Sequence, residues 1–174
     1  MACRCEPPYT AGQEGGRLKK LSPIKRTAKG AKAHMTPDFE FPVNVTWGDC
    51  DPARIAYTGR LPAFALAAIN GWWEAHLDGD GWYQMELDRN VGTPFVALSM
   101  SFSRPVTPRH TLMCEVFPSR LGDKSITFTV RGRQDGALCF EGSFTCVFTV
   151  ADRFESQSCP DEFRAMIEPH LRSE

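Results

Sequence analysis

Hydrophobic and polar positions alternate with period two from residue 39 to residue 47, with Phe39, Phe41, Val43, Val45 and Trp47 on one side and Glu40, Pro42, Asn44 and Thr46 on the other. That spacing predicts a half-buried strand. The pattern breaks over Gly48 to Pro52, where Gly and Asp favour a turn and Pro52 holds Asp51 away from helical backbone angles. Beyond the break, Leu61, Phe64, Ala65, Ala68, Ile69, Trp72 and Trp73 recur at three- and four-residue spacing, and Leu66 and Ala67 widen the apolar face. They predict a helix from about Thr58 or Arg60 to His76, with Pro62 tolerated in its first turn. The helix carries almost no charge before Glu74, so it must be buried on most sides. Asp78-Gly79-Asp80-Gly81 ends it, and residues 82–89 predict a second, short helix.

Four strand-like runs come next, over residues 91–106, 111–121, 125–133 and 137–150. The alternations Val96/Leu98/Met100/Phe102, Leu112/Cys114/Val116, Ile126/Phe128/Val130 and Phe144/Cys146/Phe148/Val150 each give one apolar face. Thr107-Pro108-Arg109, Gly122-Asp123 and Asp135-Gly136 are the turn signals between them. Residues 161–171 predict a terminal helix with Phe163, Met166 and Ile167 on one side. The expected class is therefore α+β, with one five-stranded, mostly antiparallel sheet wrapped around a long central helix. Such a sheet leaves edges and an uncovered face, which predicts pairing with a second copy, as a homodimer or homotetramer.

Composition adjusts this picture at the N-terminus. The chain has 174 residues, 42% hydrophobic and 24% charged, enough for one domain with a real core. Residues 1–34 hold eight of the 20 basic residues and only two acids, with almost no periodic apolar positions. They are expected to form a disordered basic arm, an extension ahead of the domain at 35–174. That domain keeps 12 basic and 19 acidic residues, a net charge of -7, which argues against a nucleic-acid partner. No run approaches the ~18 apolar residues of a membrane span, and no secretory signal opens the chain. The seven cysteines are odd in number and lack zinc or disulfide spacing, so reduced thiols and a cytoplasmic location are expected.

The candidate chemistry sits where the first strand meets the helix. A carboxylate there, one turn from a helix N-terminus, faces free backbone N–H groups and a positive dipole end. That arrangement suits a reaction in which negative charge develops on oxygen. Asp51 is the expected reactive group, and Asp49 the support that binds the turn. Trp47, Tyr57 and Phe64 are expected to surround Asp51. A Mg²⁺-binding D-x-D reading fits less well, because the strand before such a pair is normally apolar on both faces. Cys50 has no partnered His nearby, the four histidines show no metal spacing, and His76 is expected to interact with the helix C-terminus. No metal or cofactor is called for.

Two motifs in this order resemble those of the hotdog-fold acyl-CoA thioesterases, in the 4-hydroxybenzoyl-CoA thioesterase-like branch. The first is Gly48-Asp49-Cys50-Asp51-Pro52-Ala53-Arg54-Ile55, close to that family's G-D-C-D-P-A-G-I. The second is Val91-Gly92-Thr93-Pro94-Phe95-Val96, similar to its V-G-T-P-[IF]-V. The resemblance covers roughly residues 39–150 and implies a hotdog fold that hydrolyses acyl-CoA.

By that resemblance Asp51 matches the catalytic aspartate, acting as a base on water or as a nucleophile through a mixed anhydride. Thr58 takes the position whose backbone N–H polarises the thioester carbonyl, where the family often has Tyr; here Tyr57 sits one residue earlier. The resemblance also implies substrate contacts at Tyr57, Leu66 and Thr93, and CoA-phosphate contacts at Arg120 and Lys124, with Arg109, Arg131 or another subunit as other sources. Arg54 departs from the family glycine. Leu66 stands where the hydroxybenzoyl enzyme has Asp, which points away from 4-hydroxybenzoyl-CoA and toward another aromatic or medium-length acyl group. Two further readings share the fold: a silent acyl-thioester binding module, and a hydratase or dehydratase, which generally needs a different acid/base set, often with His.

Overall fold

The computed structural model describes residues 39–172, so the basic segment 1–34 lies outside the described residues. Strand β1 (Glu40–Val43) leads through 3-10 turns at Trp47–Asp49 and Thr58–Arg60 into helix α1 (Leu61–His76). Helix α2 (Trp82–Leu87) comes next, then β2 (Val91–Gly92), β3 (Phe95–Phe102), β4 (Leu112–Leu121), β5 (Ser125–Gln134) and β6 (Ala137–Val147). The chain closes with β7 (Thr149–Val150), β8 (Glu155–Ser156) and helix α3 (Asp161–Ile167).

Five strands form one antiparallel sheet in the order β1-β4-β5-β6-β3, and β2, β7 and β8 form a small second sheet. Helix α1 lies against the large sheet, as its apolar pattern requires, with Phe64, Ala65, Ala68, Ile69, Trp72 and Trp73 buried. Trp72 and Trp73 both meet Phe128 of β5 edge-on, with ring centroids 5.1 and 5.5 Å apart. Phe163 of α3 packs on Trp73 from the other side. Such aromatic pairs add to the area they bury, at about 0.5–1.5 kcal/mol each. Gly71 lets the helix approach β1, since a Cβ there would stand 2.4 Å from the Phe41 ring. This is the hotdog arrangement, a long helix held in a curled sheet.

The first strand is shorter than its alternation predicts. Its partner β4 begins at Leu112, opposite Val43, so residues beyond Val43 have no ladder to join. Thr46 is instead drawn to Asp49, and Trp47 turns outward with 73% of its surface exposed. The run over 91–106 is likewise divided. Pro94, which cannot donate to a ladder, separates β2 from β3, and a register shift between Phe95 and Ala97 resets the alternation. Leu98, Met100 and Phe102 then pair with Phe144, Gly142 and Phe140 on the helix-facing side. Leu98 and Phe102 nonetheless stay 47% and 50% exposed, because β3 is an edge strand with β6 as its one neighbour. The last run is also split, with β6 ending at Val147 and β7 pairing in the small sheet.

Candidate active site

The motif around Asp51 folds into a closed loop. Cys50 bridges Ala56 in antiparallel fashion, the Asp51 amide donates to the Ile55 carbonyl at 3.0 Å, and the Tyr57 amide donates to the Asp49 carbonyl at 2.8 Å. Residues 49–51 therefore run beside residues 55–57. At the tip, the Arg54 amide donates to the Asp51 carbonyl at 2.9 Å, and Arg54 adopts φ +65°. This is the left-handed region that glycine enters without penalty, which explains the glycine that Arg54 replaces.

Asp51 is half-buried, and one of its oxygens, Oδ1, accepts the Ala53 amide at 2.8 Å in an Asx turn. Its other oxygen has no protein donor among the described residues. Directly after the loop closes at Tyr57, Thr58 opens the 3-10 turn that runs into α1, where the Arg60 amide already bonds back to the Tyr57 carbonyl at 2.8 Å. The amides of Thr58 and Gly59 precede that first bond and find no acceptor among the described residues. Such orphan donors at a helix entrance are suited to binding an oxyanion.

Asp49 has the opposite character. Its carboxylate is buried and fully engaged: Oδ2 accepts the Thr46 amide at 2.9 Å and hydroxyl at 2.7 Å, and Oδ1 accepts Arg60 Nε at 2.8 Å. The Thr46 bonds, hydroxyl first, outweigh the effect of burial, and with Arg60 they hold the Asp49 carboxyl below the usual aspartate range. An aspartate committed in this way braces the turn and is not available to share a cation with Asp51.

Beside this loop lies a groove of about 350 Å³, walled by Ile55, Ala56, Thr58 and Leu61 on one side and by Phe102, Ser103, Arg104, Pro105 and Val106 on the other. The Ala56 amide donates to the Val106 carbonyl at 2.8 Å and ties the two walls together. The predicted enclosure of Asp51 is absent in the protomer. Trp47 and Tyr57 are 73% and 59% exposed, and the Tyr57 ring lies over Gly59.

The other predicted positions separate. Leu66 is half-buried against the core and does not line the groove. Thr93, Arg120 and Lys124 all lie at the far end of the sheet, because Phe95 aligns through Cys146 and Ile126 with Leu121, whereas Phe41 and Cys114 mark the Asp51 end. The eight residue steps of β4 from Leu112 to Arg120 span about 26 Å at strand rise. Arg120 and Lys124 are exposed, and the Thr93 hydroxyl is buried without a partner. Arg131 is paired with Glu141 over the Phe117 ring. His76 Nδ1 is 2.7 Å from the Trp72 carbonyl, in the last turn of α1. Burial pushes the Cys114 and Cys146 thiols up to about 12, which suits packing and not reaction. Phe102, Arg104 and Val106 join the site without standing in either motif; the signal for them is the Arg104-Pro105 step, which ends a strand.

The sequence profile described as the thioesterase-like superfamily matches residues 45–167. No curated protein matches the chain. Among solved structures, a thioesterase-superfamily protein from Jannaschia sp. CCS1 is similar at 62% identity and TM-score 0.77, over 79% of this chain and 96% of that one. A DHNA-CoA thioesterase from Staphylococcus aureus is 13% identical with TM-score 0.65, over 74% of this chain and 85% of its own. A 1,4-dihydroxy-2-naphthoyl-CoA thioesterase from Synechocystis is 14% identical with TM-score 0.67, over 74% and 94%.

Asp49→Asn is expected to lower stability by about 1–3 kcal/mol at neutral pH, because an amide nitrogen would face donors that now meet an oxygen. The carboxyl is depressed in the folded state, so its stabilisation is complete above the unfolded aspartate value near 4 and is lost as pH falls through the lower folded value. Urea midpoints of wild type and variant should converge over that acid range; a gap that stays constant down to pH ~2 would refute the assignment.

Proposed function

Because this chain belongs to the thioesterase-like superfamily, we propose that it hydrolyses acyl-CoA thioesters, with Asp51 as the reactive carboxylate and the Thr58 amide as oxyanion donor. The observation that carries this reading is the joining of both groups by one closed loop beside an apolar groove. The acyl group, aromatic or medium-length, lies against Leu61, Phe102 and Val106, with its thioester carbonyl directed at the Thr58 amide. Asp51 then attacks the carbonyl carbon or takes a proton from attacking water, and the tetrahedral oxyanion draws on the helix entrance. Tyr57, exposed and next to Thr58 in the chain, does not line the groove in the protomer. Among the described residues no helix is long and apolar enough to cross a membrane, and five described cysteines are free thiols, which suits a reducing cytoplasm.

The distance between Asp51 and Thr93 within one protomer is accounted for by assembly. Strand β3 presents eight residues with one free edge and an apolar, exposed surface. Two copies joined antiparallel along that edge about a two-fold axis would set the Phe95 end of one beside the Phe102 end of the other. Thr93 of the partner subunit then approaches the groove, and the end that carries Arg120 and Lys124 comes toward it to meet CoA phosphates. We therefore infer a homodimer, or a tetramer built from it, with sites between subunits.

Free-thiol release from a panel of CoA thioesters tests the chemistry. Asp51→Asn is expected to lower kcat about 10²–10⁴-fold, the usual range for a lost acid/base group. Binding without turnover by the wild-type protein would make it a silent acyl-thioester module, and turnover of enoyl-CoA to a hydroxyacyl product would make it a hydratase.

The donor is tested separately. Tyr57 already has φ -56° and ψ 132°, angles that a following proline accepts, so Thr58→Pro removes the amide without reshaping the turn. It is expected to reduce kcat about 10²–10³-fold with the melting curve preserved. Full activity in this variant would eliminate Thr58 from the mechanism.

Assembly is read by light scattering. Wild type is expected at twice the protomer mass or more, and Leu98→Lys, which puts a charge on the exposed β3 surface, at the protomer mass with turnover lost. A wild-type protomer that is monomeric and active would overturn the shared site.

A further inference from the structure

Arg104 is the only charged residue among those that line the groove. Its position is set by the backbone and not by a neighbouring acid. The Ser103 and Arg104 amides both donate to the Cys139 carbonyl, at 2.7 and 3.1 Å, which turns the chain out of β3 and over the groove. Pro105 confines Arg104 to extended backbone, and the next residue, Val106, receives the Ala56 amide that closes the groove.

Of the eleven arginines among the described residues six lie within ion-pair distance of a carboxylate: Arg60, Arg89, Arg131, Arg153, Arg164 and Arg172. Arg104 has no carboxylate within ion-pair distance among the described residues. Arg54, Arg109, Arg120 and Arg133 likewise meet no carboxylate among the described residues, and of these five Arg104 alone lines the groove. In the protomer Arg104 is exposed, next to Phe102 and Pro105 in the wall of the groove. A guanidinium is shaped for bidentate contact with carboxylate or phosphate.

We propose that Arg104 anchors an anionic group of the substrate, so that this groove selects thioesters carrying a negative charge near the scissile carbonyl. The anion is a carboxylate on the acyl chain, because the phosphates of CoA lie a whole pantetheine arm away from the thioester. The inference rests on the thioesterase reading and adds the charge of the substrate to it.

The experiment uses the full-length protein and Arg104→Gln with four thioesters: hexanoyl and adipyl groups, each on CoA and on N-acetylcysteamine. The acyl chains match in length and differ by one carboxylate, and the second carrier lacks phosphate. With an acyl-carboxylate anchor, the variant loses about 10- to 100-fold more kcat/KM on adipyl than on hexanoyl esters, on both carriers and chiefly through KM. An excess loss that instead separates the CoA esters from the N-acetylcysteamine esters, whatever the acyl group, puts a carrier phosphate on Arg104 and overturns the proposal. Arg104→Lys should restore part of the acyl discrimination. An equal effect on all four esters, or none, overturns the proposal. If the wild-type protein hydrolyses none of them, the thioesterase reading is decided by the wider thioester panel, and titration calorimetry of the same four esters scores Arg104 by the same adipyl-to-hexanoyl ratio.

Discussion

The site depends on the closure of a single loop. Three backbone contacts, Tyr57 to Asp49, Asp51 to Ile55 and Cys50 with Ala56, turn a strand exit and a helix entrance into one short ladder. Asp49 then ties that ladder to Thr46 before it and Arg60 after it, so the last residue of the loop is bonded to the first through a buried carboxylate. The groups proposed to react need this because each is only as well aimed as its backbone: Asp51 carries one short side chain and the proposed Thr58 donor has none. Preorganised donors are effective because they need no rearrangement as charge develops.

Helix α1, into which the loop runs, holds it still. The helix is fixed by aromatic contacts toward its C-terminal half, with Trp72 and Trp73 against Phe128 and Trp73 against Phe163, while its N-terminal turn stays at the groove. The core is thus concentrated at one part of the helix and the chemistry at another. Arg60, the charged residue at its entrance, is taken up by Asp49, and the Thr58 and Gly59 amides find no acceptor among the described residues.

Regular elements are legible wherever periodicity reflects burial on a packed face. The helix from Leu61, strands β4 and β5, and the Asp135-Gly136 hairpin all stand where alternation or turn chemistry places them. The departures share a cause: alternation does not guarantee pairing. Trp47 continues the parity of β1 but lies beyond the start of β4, and the 91–106 run hides a proline break and a register shift. The two motifs point to the loop in which Asp51 and Thr58 lie. Motifs carry no information about which end of a sheet a residue occupies, so they group Thr93, Arg120 and Lys124 with Asp51 although the register sets them apart. Arg104 is hidden for a related reason, since nothing in its neighbours' pattern tells that the chain has left the ladder at Ser103.

The exposed edge and the open groove are best understood together. In the protomer, Phe102 is both the last residue of β3 and a wall of the groove, and it is half exposed. Covering the β3 surface with a second copy would therefore also cover one side of the site. Water removed from that side would strengthen every charge interaction within it, because the same ion pair is worth several times more at an effective dielectric of about 20 than in bulk water. The carboxylate at Asp51 and the guanidinium at Arg104 would both be affected. An edge strand left apolar and unprotected is a liability in an isolated protomer, and here it lies where its burial would also complete an active site.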